Sequence, residues 1–191
     1  MQILKPKIRQ KILAVAERLF YEAGFPETPT RQIAEEAGIS VSNLYKYFAD
    51  KEAVFAAIVD PFYQKTRENL AALFQEEHVE RDSRICDLAT QQIISLMLTD
   101  RRKFVLLMGR SAGTRYARFK EEIVTMLAQH MAESIHPNML KDGFLLQVLA
   151  ENFFAGILSI AENAGGREIT FITDNVGALV RYHMAGIAEF Y

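Results

Sequence analysis

One cysteine, no tryptophan and five prolines among 191 residues set the first limits. The lone thiol, Cys86, excludes an internal disulfide framework and, within one chain, a thiolate metal cluster; it fits a reducing compartment, the cytoplasm. The start carries Lys5, Lys7, Arg9 and Lys11 but no apolar h-region behind them, so it predicts no secretory signal. Uncharged apolar runs of about 18 residues are also missing. The most apolar stretch, FLLQVLAENFFAGILSIAENAG, is interrupted by Gln147, Glu151 and Asn152 and reads as a buried helix of a soluble protein, with no membrane partner. Low-complexity tracts are absent, and a 50% apolar composition provides for one or two domains with a real core.

Net charge is −2, which excludes little, but its distribution is uneven. Residues 1–25 hold five basic side chains against two acidic ones, a net +3, whereas residues 56 onward hold 14 basic and 17 acidic ones. A basic end on a slightly acidic body is a weak electrostatic footprint for a polyanion; a solvated helix face explains many such runs equally well.

The pattern is helical throughout. Ile8, Ile12, Ala16, Leu19 and Phe20 form a stripe that stops at Gly24. Thr28 is placed to cap a second helix, with Pro29 at its first position and Ile33, Ala34 and Ala37 inward, ending at Gly38. Ser40 can cap a third helix whose inward residues are Leu44 and Phe48. Asp50 can cap a fourth, with Val54, Phe55, Ile58, Val59 and Phe62 inward. Pro61 lies inside that fourth helix, removes a backbone bond to Ala57, and predicts a kink or split there.

Two short helices joined by a glycine-containing turn, the second polar near its start, are the helix-turn-helix arrangement. On the third helix a thin apolar stripe is enough for docking, which leaves the rest of its surface for a major groove. Asn43 can pair in bidentate fashion with adenine, Ser42 can bond at either strand, and Val41 can touch a thymine methyl. Ser40, at the cap, is grouped with these contacts. Tyr45, Lys46, Tyr47 and Lys51 carry hydroxyl or ammonium donors that reach phosphates, and helix N-termini at Thr28 and Asp50 offer backbone N–H groups to the same partners.

From Arg9 to Lys51 the sequence resembles the DNA-binding domain of the TetR family. The resemblance rests on Ile12, Leu13, Ala16, Leu19 and Phe20; then Gly24, Thr28, Ile33 and Ala34; then Ala37-Gly38-Ile39-Ser40; and Leu44-Tyr45-Lys46-Tyr47-Phe48 with Lys51. It implies an all-α protein of about nine helices, with a DNA-binding domain over residues 1–50 and a helical regulatory and dimerisation domain over 51–191. It further implies that Thr30 and Arg31 contact DNA, Arg31 as a reader of guanine. Val41, Ser42 and Asn43 become the groove-facing tip, and Tyr45, Tyr47 and Lys51 phosphate contacts. Ser42 departs from the family pattern, standing where many members have glycine.

Past residue 56 the resemblance implies architecture alone: a homodimer on a palindromic operator, often with an enclosed small-molecule effector pocket. Two segments support dimerisation independently. The helices near Phe144–Asn163 and Glu168–Phe190 are apolar on almost every side, more than one buried stripe needs. This predicts a four-helix interface through Phe153, Gly156, Ile160, Val176, Gly177, Val180, His183, Met184 and Ile187. Tyr63, Gln92, Arg110 and Asn152 are polar residues on apolar stretches and are candidates to line a ligand pocket.

The implied activity is that of a transcription regulator, a repressor released by a small ligand, with no enzymatic activity, cofactor or metal. The alternative from another class is a DNA-binding organiser answering to a protein partner. A more remote one is a serine hydrolase using Gly109–Gly113, GRSAG, as a nucleophile elbow, which requires a strand-turn-helix context that no other segment suggests. Glu133 and His136 have a Glu-x-x-His spacing without the second copy that a bridged metal site needs; His136 before Pro137 reads as a helix end. His78 and His130 read as surface or core residues.

Overall fold

The computed structural model describes residues 5–75, 83–134 and 143–188. Cys86, His78, His130, Glu133, His136 and the side chain of Ile187 lie outside the described residues or side chains. The described chain forms eight helices: α1 Pro6–Ala23, α2 Thr30–Glu36, α3 Val41–Leu44, α4 Lys51–Gln75, α5 Ser83–Gly109, α6 Phe119–Ser134, α7 Phe144–Asn163 and α8 Ile169–Ala188. Helix α5 is broken at Asp100 (φ −158°, ψ 76°), so nine helical segments result. The break has a local cause: the Asp100 carboxylate accepts the Lys103 N–H at 3.2 Å and caps the second arm, while its other oxygen holds the Lys103 ammonium at 2.5 Å.

The first three helices and the start of α4 make a head. Its apolar stripes are buried as their spacing predicts: Ile12, Ala16, Leu19 and Phe20 of α1, Ile33 and Ala34 of α2, Leu44 of α3, and Val54, Phe55, Ile58 and Val59 of α4. Phe20, Phe25 and Phe55 pack as a triangle of rings with centroids 5.3–5.6 Å apart. Gly24 ends α1 at φ 88° and ψ 163°, a conformation that essentially only glycine adopts, and its N–H donates to the Phe20 carbonyl.

Two local expectations fail. Thr28 caps nothing: it is buried, and its hydroxyl donates to the Gly24 carbonyl at 2.7 Å and the Leu19 carbonyl at 3.3 Å, tying the turn back onto α1. Pro29 takes the N-cap position of α2, which has no side-chain cap. Nor is α4 split at Pro61; the helix runs through it with the proline on the exposed side.

In the body, α5 packs against α4, α6, α7 and α8, and also touches α1. Its second arm is central: five consecutive residues, Phe104, Val105, Leu106, Leu107 and Met108, are all buried. Helix α7 is long and apolar enough to cross a membrane by length and composition, with a mean hydropathy of 1.7, yet only 28% of that window is buried in the subunit.

Arginines join the two parts. Arg101 donates to the Tyr21 hydroxyl at 2.8 Å and to the Ala161 carbonyl at 2.7 Å. Arg110 reaches the Tyr21 carbonyl and Glu162. Arg115 pairs with Asp60, and its backbone N–H donates to Glu52.

Candidate nucleic-acid interface

The turn between α2 and α3 is built on Gly38 at φ 69°, whose N–H donates to Glu35 while the Ile39 N–H donates to Ala34, closing the end of α2. Chain direction then reverses into Ser40, whose hydroxyl accepts the Asn43 N–H at 3.2 Å as the expected N-cap and lies 3.0 Å from the Ser42 hydroxyl. Leu44, fully buried, and Phe48 plug α3 and the turn after it into the head. Docking on so few residues leaves a small projecting tip.

On that tip Ser42, Tyr45 and Lys46 are exposed, Tyr45 to 48%, while Val41, Asn43 and Tyr47 are half-buried. Arg31 is exposed and Thr30 half-buried at the adjoining start of α2. The Tyr47 hydroxyl accepts the Lys5 N–H at 3.1 Å, so its own O–H is left to donate. These groups form one surface.

The sequence reading missed that the basic start of α1 is part of it. Besides the Lys5 contact to Tyr47, the Arg9 guanidinium lies 5.2 Å from the Phe48 ring centre, and the Lys11 ammonium lies 3.2 Å from where a Cβ on Gly38 would sit. Lys5, Lys7, Arg9 and Lys11 are all exposed. Their charge was legible in the sequence, but their neighbourhood was not, because α1 and α3 meet only in the fold.

Three of the expected contact groups have partners within the chain. Thr28 is buried, its hydroxyl bonded to the Gly24 and Leu19 carbonyls. The start of α4 is already occupied: the Asp50 carboxylate accepts the Ala53 N–H at 2.7 Å, placing a negative group where a phosphate would approach. Lys51 turns inward, with its ammonium 2.7 Å from the Phe25 carbonyl, 3.0 Å from that of Thr28 and 3.4 Å from that of Pro26. Burial pushes this ammonium below its ordinary value, and Glu27 opposes the shift.

The suggested pocket residues have separate surroundings. Tyr63 packs edge-on against Tyr116 and Phe119, Arg110 spans Tyr21 and Glu162, and Asn152 is exposed on α7. An open cleft of about 530 Å³ lies instead between α5 and α8, lined by Gln91, Ile94, Ser95, Leu98, Thr99 and Thr173; Gln92 is half-buried beside it in sequence but does not line it. In GRSAG, Ser111 is buried in a turn between helices and donates to the Leu107 carbonyl at 2.8 Å, so it has neither the strand-turn-helix setting nor the exposure of a nucleophile.

Several residues assigned to a dimer face are used inside the subunit. Val176, Gly177 and Val180 are buried by intrachain packing. A side chain on Gly156 would meet Leu179 at 2.7 Å, so this glycine lets α7 approach α8 of its own chain, and the Phe153 and His183 rings meet edge-on at 4.9 Å. Ile160 and His183 are half-buried, and Met184 is exposed. On the outward sides of the pair are Phe144 (73% exposed), Leu145 and Tyr182 (75%).

A short capped helix projecting from a glycine turn, flanked by basic side chains and carried on a helical body, defines a helix-turn-helix DNA-binding protein. Residues 12–58 match the model of the bacterial regulatory proteins of the tetR family. The head thus carries the sequence pattern of the tetR family, and the chain as a whole shares the fold of solved regulators of that family. Among curated relatives, the probable HTH-type transcriptional regulator YttP of Bacillus subtilis is 25% identical over 151 residues, 78% of this chain but just under two thirds, 65%, of that relative. Among solved structures, NalD, the secondary repressor of the MexAB-OprM multidrug efflux pump in Pseudomonas aeruginosa, superimposes with a TM-score of 0.55 at 24% identity, covering 95% of this chain and 98% of that one. AibR, solved in complex with isovaleryl coenzyme A and operator DNA, superimposes with a TM-score of 0.60 at 18% identity, covering 90% and 97%.

Proposed function

We propose that this chain is a cytoplasmic, homodimeric, sequence-specific transcription regulator, a repressor that a small ligand releases from a palindromic operator. The observation that carries the reading is the exposed tip of α3 beside the basic start of α1. Asn43 and Ser42 read base edges, Val41 meets a thymine methyl, and Arg31 reads guanine from the start of α2. Thr30, Tyr45, Lys46 and Tyr47 hold phosphates, together with the α1 cations. The small-ligand part is supported by likeness to AibR, whose structure holds a coenzyme A thioester along with its operator.

Dimerisation is supported by the apolar surface that α7 leaves uncovered in one subunit, with Leu145 and Tyr182 on the outward sides of α7 and α8. A two-fold dimer sets its recognition helices about 34–36 Å apart, or a multiple of that, to meet successive major grooves. One observation favours control by a protein partner instead: Tyr63, Arg110 and Asn152 sit in three separate environments.

Selection of genomic fragments on the purified protein tests the reading. Enrichment of a pseudo-palindromic sequence upstream of genes is expected, and failure to enrich any sequence would overturn it.

A further inference from the structure

Arg101 opens the second arm of α5, just past the break at Asp100, and Arg110 follows the last residue of that helix. Each bonds α1 and α7 at once. Arg101 donates to the Tyr21 hydroxyl at 2.8 Å and to the Ala161 carbonyl at 2.7 Å, while Arg110 donates to the Tyr21 carbonyl at 3.3 Å and lies 3.0 Å from the Glu162 carboxylate. The carbonyls of Tyr21 and Ala161 belong to the last turns of α1 and α7, where a helix leaves acceptors without partners of its own and its dipole favours a cation. A planar guanidinium with five N–H donors can serve two such ends together. Gly165 leaves it room: a Cβ there would lie 3.2 Å from the Arg101 guanidinium.

Both ends of this clasp lead to elements that matter for recognition. Helix α1 packs on α2, and α2 on α3, so a rotation of α1 carries the tip of α3 with it. Helix α7 is the one whose apolar surface stays uncovered in the subunit. The clasp therefore ties that helix directly to the head, separately from the link through α4, where Arg115 pairs with Asp60 and its N–H donates to Glu52. One contact would fix a distance. Two arginines that reach the same tyrosine, one at its hydroxyl and one at its backbone carbonyl, fix an angle.

We propose that Tyr21, Arg101, Arg110 and Glu162 determine which operator spacing the protein accepts: together they fix the angle between α1 and α7, and with it the distance between the two recognition helices of the dimer. This rests on the reading of the chain as a homodimer on a palindromic operator. A duplex meets both heads only where its half-sites lie one helical turn of about 34–36 Å, or a multiple of that, apart. A stiff clasp makes the protein reject other spacings, and a loose one admits them. Preference within one half-site is a different quantity, set at each head by itself.

The test compares the full-length wild type with Tyr21→Phe, Glu162→Gln and the double variant. Each is titrated with the operator selected by the wild type, with versions carrying one base pair more or fewer between the half-sites, and with a lone half-site. Tyr21→Phe removes one bond from Arg101 and Glu162→Gln one charge from Arg110, with both arginines and the tyrosine ring kept. The penalty for altered spacing should fall roughly fivefold in the double variant and less in each single one, while affinity for the lone half-site stays within about twofold of wild type. Equal losses on every duplex would place the effect inside the head and overturn the proposal. A lower melting temperature with an unchanged spacing penalty would reduce the clasp to a stability role and overturn it too. So would dissociation of the variants in sedimentation, which would assign the loss to the dimer contact. If the double variant does not fold, the single ones decide by the same readings. A wild type without any spacing preference would overturn the dimeric operator reading and this inference with it, whereas a wild-type penalty that the variants keep overturns this inference alone.

Discussion

Head and body are both closed by apolar packing, but they close differently. The head folds around three rings, Phe20, Phe25 and Phe55, supplied by α1, the turn after it and α4, and its helices bury the stripe that their spacing shows. The body closes around the second arm of α5, where five residues in a row are buried, although α7 is the more apolar helix. Apolar content predicts burial in the head because each short helix has one face to hide and one neighbour to hide it against. In the body, position decides: α5 is surrounded whatever its average composition, whereas α7, packed on α5, α6 and α8, still leaves apolar surface uncovered in the subunit.

The largest expected effect strikes at the closure of the head. Phe55→Ala removes the ring that touches Phe20, Phe25 and Tyr116, and should cost about 3–5 kcal/mol in chemical denaturation. If head and body unfold as one unit, fluorescence and circular dichroism transitions will shift together; separate transitions would show that the arginine bridges do not couple them. Arg101→Ala in the same assay sharpens the point, since it cuts the links to both Tyr21 and Ala161.

Asn43→Ala comes next, with about 1–3 kcal/mol lost on the selected duplex and little on scrambled DNA. Equal losses on both, measured by titration at fixed salt, would move Asn43 from reading bases to holding the backbone. A smaller effect is expected on the outward side of the body: Tyr182→Glu should leave the subunit melting temperature nearly unchanged and weaken the dimer by about 1–2 kcal/mol, read by sedimentation at several concentrations. The buried Val180→Ala should do the reverse, destabilising the subunit first. An undisturbed dimer in Tyr182→Glu would place the contact elsewhere.

The smallest effect is a pH dependence. Burial against Phe153 holds His183 below its ordinary pKa of 6.5. Between the folded and unfolded values the unfolded chain binds more protons, so this group's effect is absent well above pH 6.5 and lowers stability as pH falls through that value. Melting temperatures from pH 7.5 down to 5.5 should fall less for His183→Gln than for the parent chain. An identical acid-side slope would mean that His183 titrates alike in both states.

Much of the candidate site was legible from the sequence. The Ser40 cap, the Gly38 turn, the Leu44 and Phe48 plug and the outward Ser42, Tyr45 and Lys46 come from spacing and residue type, and all stand in the structure. Thr28 and Lys51 have partners inside the chain that their own segments do not show, for one reason. A threonine before a helix and a lysine at a helix start look like a cap and a free cation when only their own segment is considered. Both instead bond carbonyls of a turn whose path depends on α1 and α4 together.

The residue pattern alone determined the helical class, the placement of the first four helices, the projecting tip of α3 and the resemblance of the head to the TetR family, because these depend on contacts within a few turns of chain. Tertiary structure alone decided that α1's cations stand beside α3, that Arg110 and Tyr63 join elements instead of lining a common pocket, and that Gly156, Val176 and Val180 pack the subunit. Helical periodicity says which side of a helix is apolar; it carries no information about which of several apolar neighbours will cover that side, and that choice is made by the packing of all the helices at once.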